Sequence, residues 1–237
     1  MAHLDRLKHL QFLYLTRSGV GDDGMTGIAG HTTLRRLHLG PEVTRQGLAN
    51  LVGLTSLNEL KLQRNLNDDD VLAIGRMTNL RLLRCGLRGV TDKGLRRMKS
   101  MTALQSLDLS LTEATDAGMA YVGEMSGLER LELNRQISDA GIANVSELMN
   151  LKILNACCTK ISDAGLAALA RLPQLCRLSL IDTHVTAAGV AKLRGMKNLD
   201  FVDLDYTTIT DEEVRNLKDI GIPASKLPRR RPDAMKR

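Results

Sequence analysis

Residues 151–172 read Leu-Lys-Ile-Leu-Asn-Ala-Cys-Cys-Thr-Lys-Ile-Ser-Asp-Ala-Gly-Leu-Ala-Ala-Leu-Ala-Arg-Leu, and they predict one complete structural repeat. The opening Leu-x-x-Leu-x-Ala predicts a short strand whose apolar residues point to one side. Ser162 is placed to cap the N-terminus of a helix, and Asp163 suits the positive end of that helix. Three leucines then give the helix an apolar edge: Leu166, Leu169 and Leu172. Because so small a unit cannot bury its apolar side alone, a copy is expected on each flank.

Copies of this stretch follow one another along the chain. The first strand leucine recurs at Leu10, Leu34, Leu57, Leu80, Leu104, Leu128, Leu151, Leu175 and Leu199, in steps of 23 or 24 residues. The capping pair recurs as Thr91-Asp92, Thr115-Asp116, Ser138-Asp139 and Thr210-Asp211. This period predicts an α/β solenoid with about nine short parallel strands on a concave face and helices on a convex face.

A glycine recurs near the third helical position, at Gly94, Gly118, Gly141, Gly165 and Gly189. Glycine at such a position costs up to about 1 kcal/mol relative to alanine, so its recurrence indicates a purpose. We expect it to allow close approach of neighbouring helices or backbone. Asp70 and Glu213 occupy the equivalent place in two repeats.

The unbroken period favours a single domain. We place the solenoid at residues 1–221, with a partial repeat at 1–9 and nine repeats from Leu10. Gly221-Ile222-Pro223 breaks the pattern. Residues 222–237 are then expected to be a remnant of a C-terminal cap and a basic, disordered tail.

Composition argues against several classes of protein. No apolar run approaches the roughly 18 residues that a membrane span needs, and the N-terminus lacks the core of a signal peptide. The four cysteines are not spaced as a disulfide cap. A reducing, cytoplasmic setting without membrane contact is therefore expected.

The net charge of +6 hides a strong asymmetry along the chain. Residues 1–103 hold 16 Lys/Arg against 9 Asp/Glu, and residues 104–225 hold 11 against 17. The tail, 226–237, holds 6 against 1. The solenoid is thus nearly neutral but dipolar along its axis, which would steer a partner with the complementary dipole.

The repeat Leu-x-x-Leu-x-Leu-x-x-Thr-x-Ile-(Thr/Ser)-Asp-x-Gly-Leu-x-x-Leu resembles the leucine-rich repeat families over about residues 1–220. Threonine at Thr112, Thr159, Thr183 and Thr207 resembles the bacterial 23–24-residue type more than the cysteine-containing repeats of F-box substrate receptors. The resemblance implies protein–protein interaction. No F-box-like helical module precedes the repeats, which disfavours a complete ubiquitin-ligase receptor.

Side chains between the strand leucines are expected on the concave face, because strand side chains alternate. The middle of these strand positions is occupied by aromatic and basic residues in the first repeats and by acidic residues in the later ones. With flanking positions, the candidate partner-binding residues are Phe12, Tyr14, Arg36, His38, Lys61, Arg64, Arg84, Asp108, Glu132, Asn155, Asp182, Phe201, Asp203 and Tyr206. A solvated sheet face must carry polar residues of some kind, but this does not explain their segregation by sign.

Four of the five aromatic residues fall at these positions, and only Tyr121 is expected on a helix. Interface hot spots favour tyrosine and arginine, so partner contact is one interpretation. The other is structural, since Phe12 and Phe201 lie on the first and last predicted strands and could fold over as caps.

Cysteines beside acidic and histidine side chains raise the question of a catalytic or metal site: Cys157, Cys158, Cys176, Asp182 and His184. The expected strand spacing keeps Cys176 far from Cys157, and no metal-ligand spacing appears. Cys85 replaces a strand leucine and is expected in the core. We therefore predict no enzyme activity and no cofactor.

The sequence predicts a recognition module for a protein that is not identified. One alternative is a substrate-recognition or adaptor subunit of a larger complex, or a secreted bacterial effector. A second is nucleic-acid association through the basic N-terminal half and the tail, Lys226-Leu-Pro-Arg-Arg-Arg-Pro232, which is disfavoured because the body carries no nucleic-acid module. The favoured interpretation of that tail is a segment that increases solubility.

Overall fold

The computed structural model describes residues 6–225. Met1–Asp5, the start of the predicted partial repeat, and the predicted disordered tail at 226–237 lie outside the described residues. The described chain forms one open parallel sheet of ten strands in sequence order, and nine helices connect successive strands. The predicted α/β solenoid is confirmed.

The strands are β1 Phe12–Leu15, β2 Arg36–Leu39, β3 Glu59–Asn67, β4 Leu82–Gly89, β5 Ser106–Asp108, β6 Arg130–Glu132, β7 Ile153–Asn155, β8 Arg177–Ser179, β9 Phe201–Asp203 and β10 Ala224–Ser225. The helices are α1 Asp22–Thr26, α2 Arg45–Ala49, α3 Asp68–Ile74, α4 Asp92–Met98, α5 Asp116–Gly123, α6 Asp139–Val145, α7 Asp163–Leu169, α8 Ala187–Ala191 and α9 Asp211–Asp219.

The core is a stack of leucine layers between the sheet and the helices. In β2 the buried Leu37 and Leu39 alternate with Arg36 and His38, and this alternation leaves one face of the sheet to solvent. The predicted helix edges are buried as well, since Leu166 and Leu169 are fully buried on α7. Each such side chain contributes about 1.5–3 kcal/mol relative to exposure. In the described residues no helix is long and apolar enough to cross a lipid bilayer.

Two strands are longer than the short strands that the repeat predicts. The strand β3 has nine residues and β4 has eight, and their pairing continues past the sheet face through Asn65↔Gly86 and Asn67↔Gly89. The strand β3 ends at Asn67, which is also the N-cap of α3. A tenth strand, β10, which the count of leucines did not include, pairs with β9.

The recurring aspartate and glycine form a contact between successive repeats. The Asp139 carboxylate accepts hydrogen bonds from Ser162 N–H at 2.9 Å, Ser162 Oγ at 2.6 Å and Gly165 N–H at 2.9 Å. A Cβ atom on Gly165 would lie 2.5 Å from Asp139 Oδ1. The glycine therefore admits a side chain of the preceding helix, and the aspartate caps the next helix as well as opening its own.

Two repeats have an acidic residue in place of this glycine, and there the helix N-terminus is capped in a different way. Asp70 and Glu213 each form a capping box with the N-cap of their own helix, Asn67 and Thr210 respectively. The preceding helices begin with Arg45 and Ala187 rather than aspartate. The N-terminus of α7 thus receives a carboxylate from the preceding repeat, whereas those of α3 and α9 receive one from their own third helical residue.

Replacing Ser162 with alanine should lower the free energy of unfolding by about 0.5–2 kcal/mol, because Ser162 Oγ accepts from Ala164 N–H at 3.3 Å. The hydroxyl also donates to Asp139, which favours the upper half of that range. Urea melts measure the change. Ser56→Ala, on an exposed turn, is the control and should change stability by less than about 0.5 kcal/mol. Equal melts for both variants would contradict the role of the cap.

Candidate functional site

The sheet face turned away from the helices, here called the concave face, carries the predicted row of middle-position residues. Tyr14 pairs with His38, His38 with Lys61, and Lys61 with Arg84 on adjacent strands. A second run joins Asp108, Glu132, Asn155, Ser179 and Asp203 in the same way. Neighbouring strands lie about 4.8 Å apart, so each run is a continuous line of side chains.

The two runs meet where the sheet pairing is weakest. Between β4 and β5 the register records one pair, Leu82↔Ser106. Arg84 and Asp108 each follow this pair by two residues. The change from basic to acidic side chains therefore coincides with the shortest stretch of pairing between complete strands.

The N-terminal end of the concave face holds a connected cluster of aromatic and charged side chains. Arg36 lies 5.4 Å from the centre of the Phe12 ring, and its Nε is 3.4 Å from Glu59 Oε2. The other Glu59 oxygen is 3.0 Å from His38 Nε2, and the His38 ring meets Tyr14 edge to face at 4.5 Å. Glu59 thus binds two of the predicted basic residues, Arg36 and His38, and offsets part of the positive charge at this end.

The aromatic residues of the concave face stay at the surface. Phe12 is 47% exposed and Tyr14 is 55% exposed, although Phe12 touches Arg36. At the other end Phe201 is 41% exposed and Tyr206 is 76% exposed. None of the four is buried over an end of the leucine stack as a closed cap would be.

Lys61 and Arg84 differ from Arg64, another of the predicted basic residues. Neither Lys61 nor Arg84 belongs to an ion pair among residues 6–225. Arg64 binds both oxygens of Asp70 at 2.9 Å, and the Asp70 side chain is almost fully buried. Arg64 therefore stabilises the junction of β3 with α3 and does not extend the row.

Several polar residues of the second run also serve the backbone. Asp108 accepts from Ser110 N–H at 2.9 Å, and Asn155 accepts from Cys157 N–H at 3.1 Å. Asp203 accepts from Asp205 N–H in the same manner. Burial raises the pKa of Asp203, and this outweighs the hydrogen bond from Asp205 that lowers it.

A second row of side chains lies on the same face, two residues before the middle position on each strand. The sequence prediction included only Phe12, Arg36 and Phe201 from this row. Arg130 and Arg177 lie there, exposed, and Glu59 lies there in the basic half. Segregation by sign therefore holds along the middle row but not along its neighbour. The same 23–24-residue spacing that gave the middle row was sufficient to identify these residues.

Cys157 and Cys158 lie in one repeat, Cys176 lies in the next, and Cys85 lies in a separate repeat nearer the N-terminus. Cys157 Sγ lies 3.0 Å from Ser179 Oγ, and Cys176 Sγ lies 3.1 Å from the Lys152 carbonyl. Cys158 is exposed at the rim with a φ of 57°. Among residues 6–225 no three His, Cys, Asp or Glu side chains are grouped to hold a metal ion.

Native alkylation should distinguish the thiols. Burial raises the pKa of Cys85 to about 12, so its reactive thiolate is scarce at pH 8.5. Burial, followed by the Asp182 charge, also raises the pKa of Cys158, but that thiol is exposed. We expect iodoacetamide to label Cys158 well before Cys85 by peptide mass spectrometry. In urea the two should react alike, and early labelling of Cys85 in the native protein would contradict its placement against the core.

Both the sequence and the fold of this chain are similar to those of known proteins. The family model described as leucine-rich repeat region matches residues 2–219. No curated protein matches the sequence. Among solved structures, an internalin C2 from Listeria monocytogenes is 26% identical with a TM-score of 0.64, and the match covers 88% of this chain and 83% of that one.

Two further structures share the fold. An internalin (inlF) from Listeria monocytogenes is 22% identical with a TM-score of 0.62, and the match covers 86% of this chain but 65% of that one. The leucine-rich repeat ectodomain of the Arabidopsis receptor kinase HAESA, solved with an extended IDA peptide hormone, is 11% identical with a TM-score of 0.54. That match covers 78% of this chain and 36% of the receptor chain.

Proposed function

This chain belongs to the leucine-rich repeat family, and on that premise we propose that it is a non-catalytic recognition module that binds a protein on its concave face. The observation that carries the proposal is the row of aromatic and charged side chains in register on adjacent strands, in which Tyr14 and Arg84 are exposed and His38 and Lys61 are half-buried. Because the side chains are fixed by a sheet rather than by loops, little ordering is needed on binding. The peptide ligand of the HAESA ectodomain accords with such a role.

The chemistry of the face defines what the partner should offer. Phe12 and Tyr14 lie at one end, and Phe201 and Tyr206 lie at the other, eight strand spacings or about 38 Å further along the curved sheet. Exposed aromatic residues of this kind are frequent interface anchors. Between them Lys61 and Arg84 precede Asp108 and Glu132, so the partner's charges should run in the opposite order.

The repeats are proposed to be of the bacterial Thr-Asp-x-Gly-Leu type. The contact between the aspartate of one repeat and the glycine of the next gives both motif residues a physical role, and the similarity to internalin C2 supports the assignment. A cytoplasmic setting is proposed because the four cysteines are free thiols. An adaptor or effector role within a larger complex is the finer form of the same proposal.

The test is affinity capture from the native cell extract with the full chain as bait. Two reversals accompany the wild type: Lys61→Glu with Arg84→Glu on the concave face, and Arg76→Glu with Arg96→Glu on the convex side. A protein retained by the wild type and the convex variant but lost from the concave variant supports the proposal. Retention by all three, or loss from the convex variant alone, overturns it.

A further inference from the structure

Two arginines lie on the half of the concave face whose middle row is acidic. Arg130 on β6 and Arg177 on β8 are each in register with Ile153 on β7, so the three side chains form a short row across adjacent strands. Both arginines are exposed and Ile153 is half-buried. Two strand spacings separate the arginines by about 10 Å, so that both guanidinium groups can extend over Ile153.

These arginines are not neutralised by neighbouring acidic side chains. Neither forms an ion pair within the part of the chain that the structure describes. Glu129, next to Arg130 in sequence, is bound to Lys152 at 2.9 Å. Because the planar guanidinium matches a carboxylate with two parallel hydrogen bonds, a pair of unengaged arginines is suited to a carboxylate from another molecule.

The middle row is uncharged beside Ile153, where Asn155 and Ser179 follow Glu132 on the next two strands. Cys157 N–H donates to Asn155 Oδ1 at 3.1 Å, which orients the amide and leaves its Nδ2 group without a hydrogen bond to any described residue. A carboxylate above Ile153 would face an arginine one strand spacing, about 5 Å, to either side, whereas Glu132 lies on the diagonal at about 8 Å. Attraction therefore outweighs repulsion at this position.

Ile153 gives the position an apolar floor. It lies between the two arginines, and their alkyl stems add apolar surface on either side. An aliphatic side chain that covers Ile153 removes this surface from water, which favours binding. A carboxylate alone would leave Ile153 in contact with water, so the position fits an acidic residue with an aliphatic neighbour.

We propose that four side chains of this region form a specificity subsite, here called the β7 subsite: Arg130, Ile153, Asn155 and Arg177. It binds an aspartate or glutamate side chain of the partner protein, bound by the two arginines and the Asn155 amide, together with an adjacent aliphatic residue over Ile153. The inference rests on the proposed function, since it concerns the same face, and it names one feature that the partner must carry.

The subsite alters the charge order expected of the partner. Basic residues should face the acidic side chains of the middle row on β5, β6 and β9, but an acidic residue should face β7. The carboxylate belongs to a residue within the partner's chain rather than to its C-terminus, because the sheet face continues past β8 to the exposed Phe201. A partner without this acidic residue is disfavoured, since it would cover two arginines without offering an acceptor.

Selection from a random dodecapeptide library displayed on phage, with the full chain as the target, provides the test. An extended dodecapeptide spans about 40 Å, the length of the sheet face. Parallel selections use Arg130→Gln with Arg177→Gln and a matched control, Arg171→Gln with Arg194→Gln, two exposed arginines in the turns after α7 and α8. The two variants have the same net charge.

Peptides selected on the wild type and on the control should carry Asp or Glu next to Leu, Ile or Val, and those selected on the Arg130 and Arg177 variant should not. Fluorescence anisotropy of one such peptide should show about tenfold weaker binding to that variant than to the wild type, because hydrogen bonds to a charged group are lost. Replacing the acidic residue of the peptide with its amide should weaken binding to the wild type equally and leave binding to the variant unchanged.

Equal affinity for the wild type and the Arg130 and Arg177 variant overturns the subsite, as does equal weakening in the control. Loss of binding when the peptide C-terminus is amidated overturns it too, since the bound carboxylate would then be terminal. Peptides that need Lys61 and Arg84 but not Arg130 and Arg177 overturn the subsite alone and leave the proposed function standing. A selection that enriches no peptide, or only peptides insensitive to both pairs, counts against the subsite and the proposed function together.

Discussion

Replacing Asp139 with alanine is expected to lower the free energy of unfolding by about 2–4 kcal/mol, because three donors of the next repeat lose a charged acceptor. Gly165→Glu should cost at least as much, since its first side-chain carbon would lie 2.5 Å from Asp139 Oδ1 and its charge would face that carboxylate. Both effects are large for a solenoid, in which each repeat is stabilised by its neighbours.

The double variant should be more stable than either single one. With Asp139 shortened to alanine, the introduced glutamate can accept from Ser162 N–H, as Glu213 accepts from Thr210 N–H at 2.7 Å in α9. Urea melts of the wild type, the two single variants and the double variant form a double-mutant cycle, with an expected coupling of about 2 kcal/mol or more.

Asp139→Ala combined with Gly189→Glu is the matched control. Gly189 packs against Asp163, not against Asp139, so the introduced glutamate has no vacant N-terminus to cap. No rescue is expected there. Additive losses in the first pair, or equal rescue in both pairs, would show that the aspartate and glycine of successive repeats are not partners.

Most of the fold was predictable because a repeat of constant length determines both the strand positions and their register. Leu34 and Leu57 are one repeat apart, so the residues that follow them must pair, as Arg36 and Glu59 do. The cap at Ser162 was predictable for a different reason, since serine before a helical apolar pattern has a known local geometry.

The contact from Asp139 to Ser162 was not predicted, because local reasoning assigns an N-terminal aspartate to its own helix. Its hydrogen bonds span 23 residues and depend on how neighbouring helices stack. Arg64 was misplaced for a related reason. Its flanking strand position suggested the concave face, but its guanidinium binds both carboxylate oxygens of Asp70, six residues further along the chain.

The concave face was predicted as a row and is found as two runs of different character. At the basic end Glu59 binds Arg36 and His38, so within the middle row the unpaired charges there are those of Lys61 and Arg84. Since paired charges steer a partner less than unpaired ones, these two residues should dominate the attraction. Arg130 and Arg177 reduce the negative field of the second run.

Reversing Lys61 and Arg84 to glutamate is accordingly expected to slow association with a concave-face partner by about tenfold or more at low ionic strength, with a smaller change in dissociation. The fold should survive, because both side chains lie outside the leucine layers and exposed substitutions usually cost within about 0.5 kcal/mol. Circular dichroism and urea melts check this before binding is measured.

To decide the site, the association rate of this variant is compared with that of a control variant, Arg76→Glu with Arg96→Glu. Both rates are measured with the captured partner by surface plasmon resonance at several salt concentrations. Arg76 and Arg96 are exposed on the helical side of the same repeats, so the two variants have the same net charge but differ in the face that is changed. Steering by the concave face predicts a large loss for Lys61 and Arg84 that shrinks as salt rises, because screening removes the long-range term. Equal losses from both variants would mean that net charge alone controls the encounter, and a loss from the helical variant alone would move the binding site to the convex side.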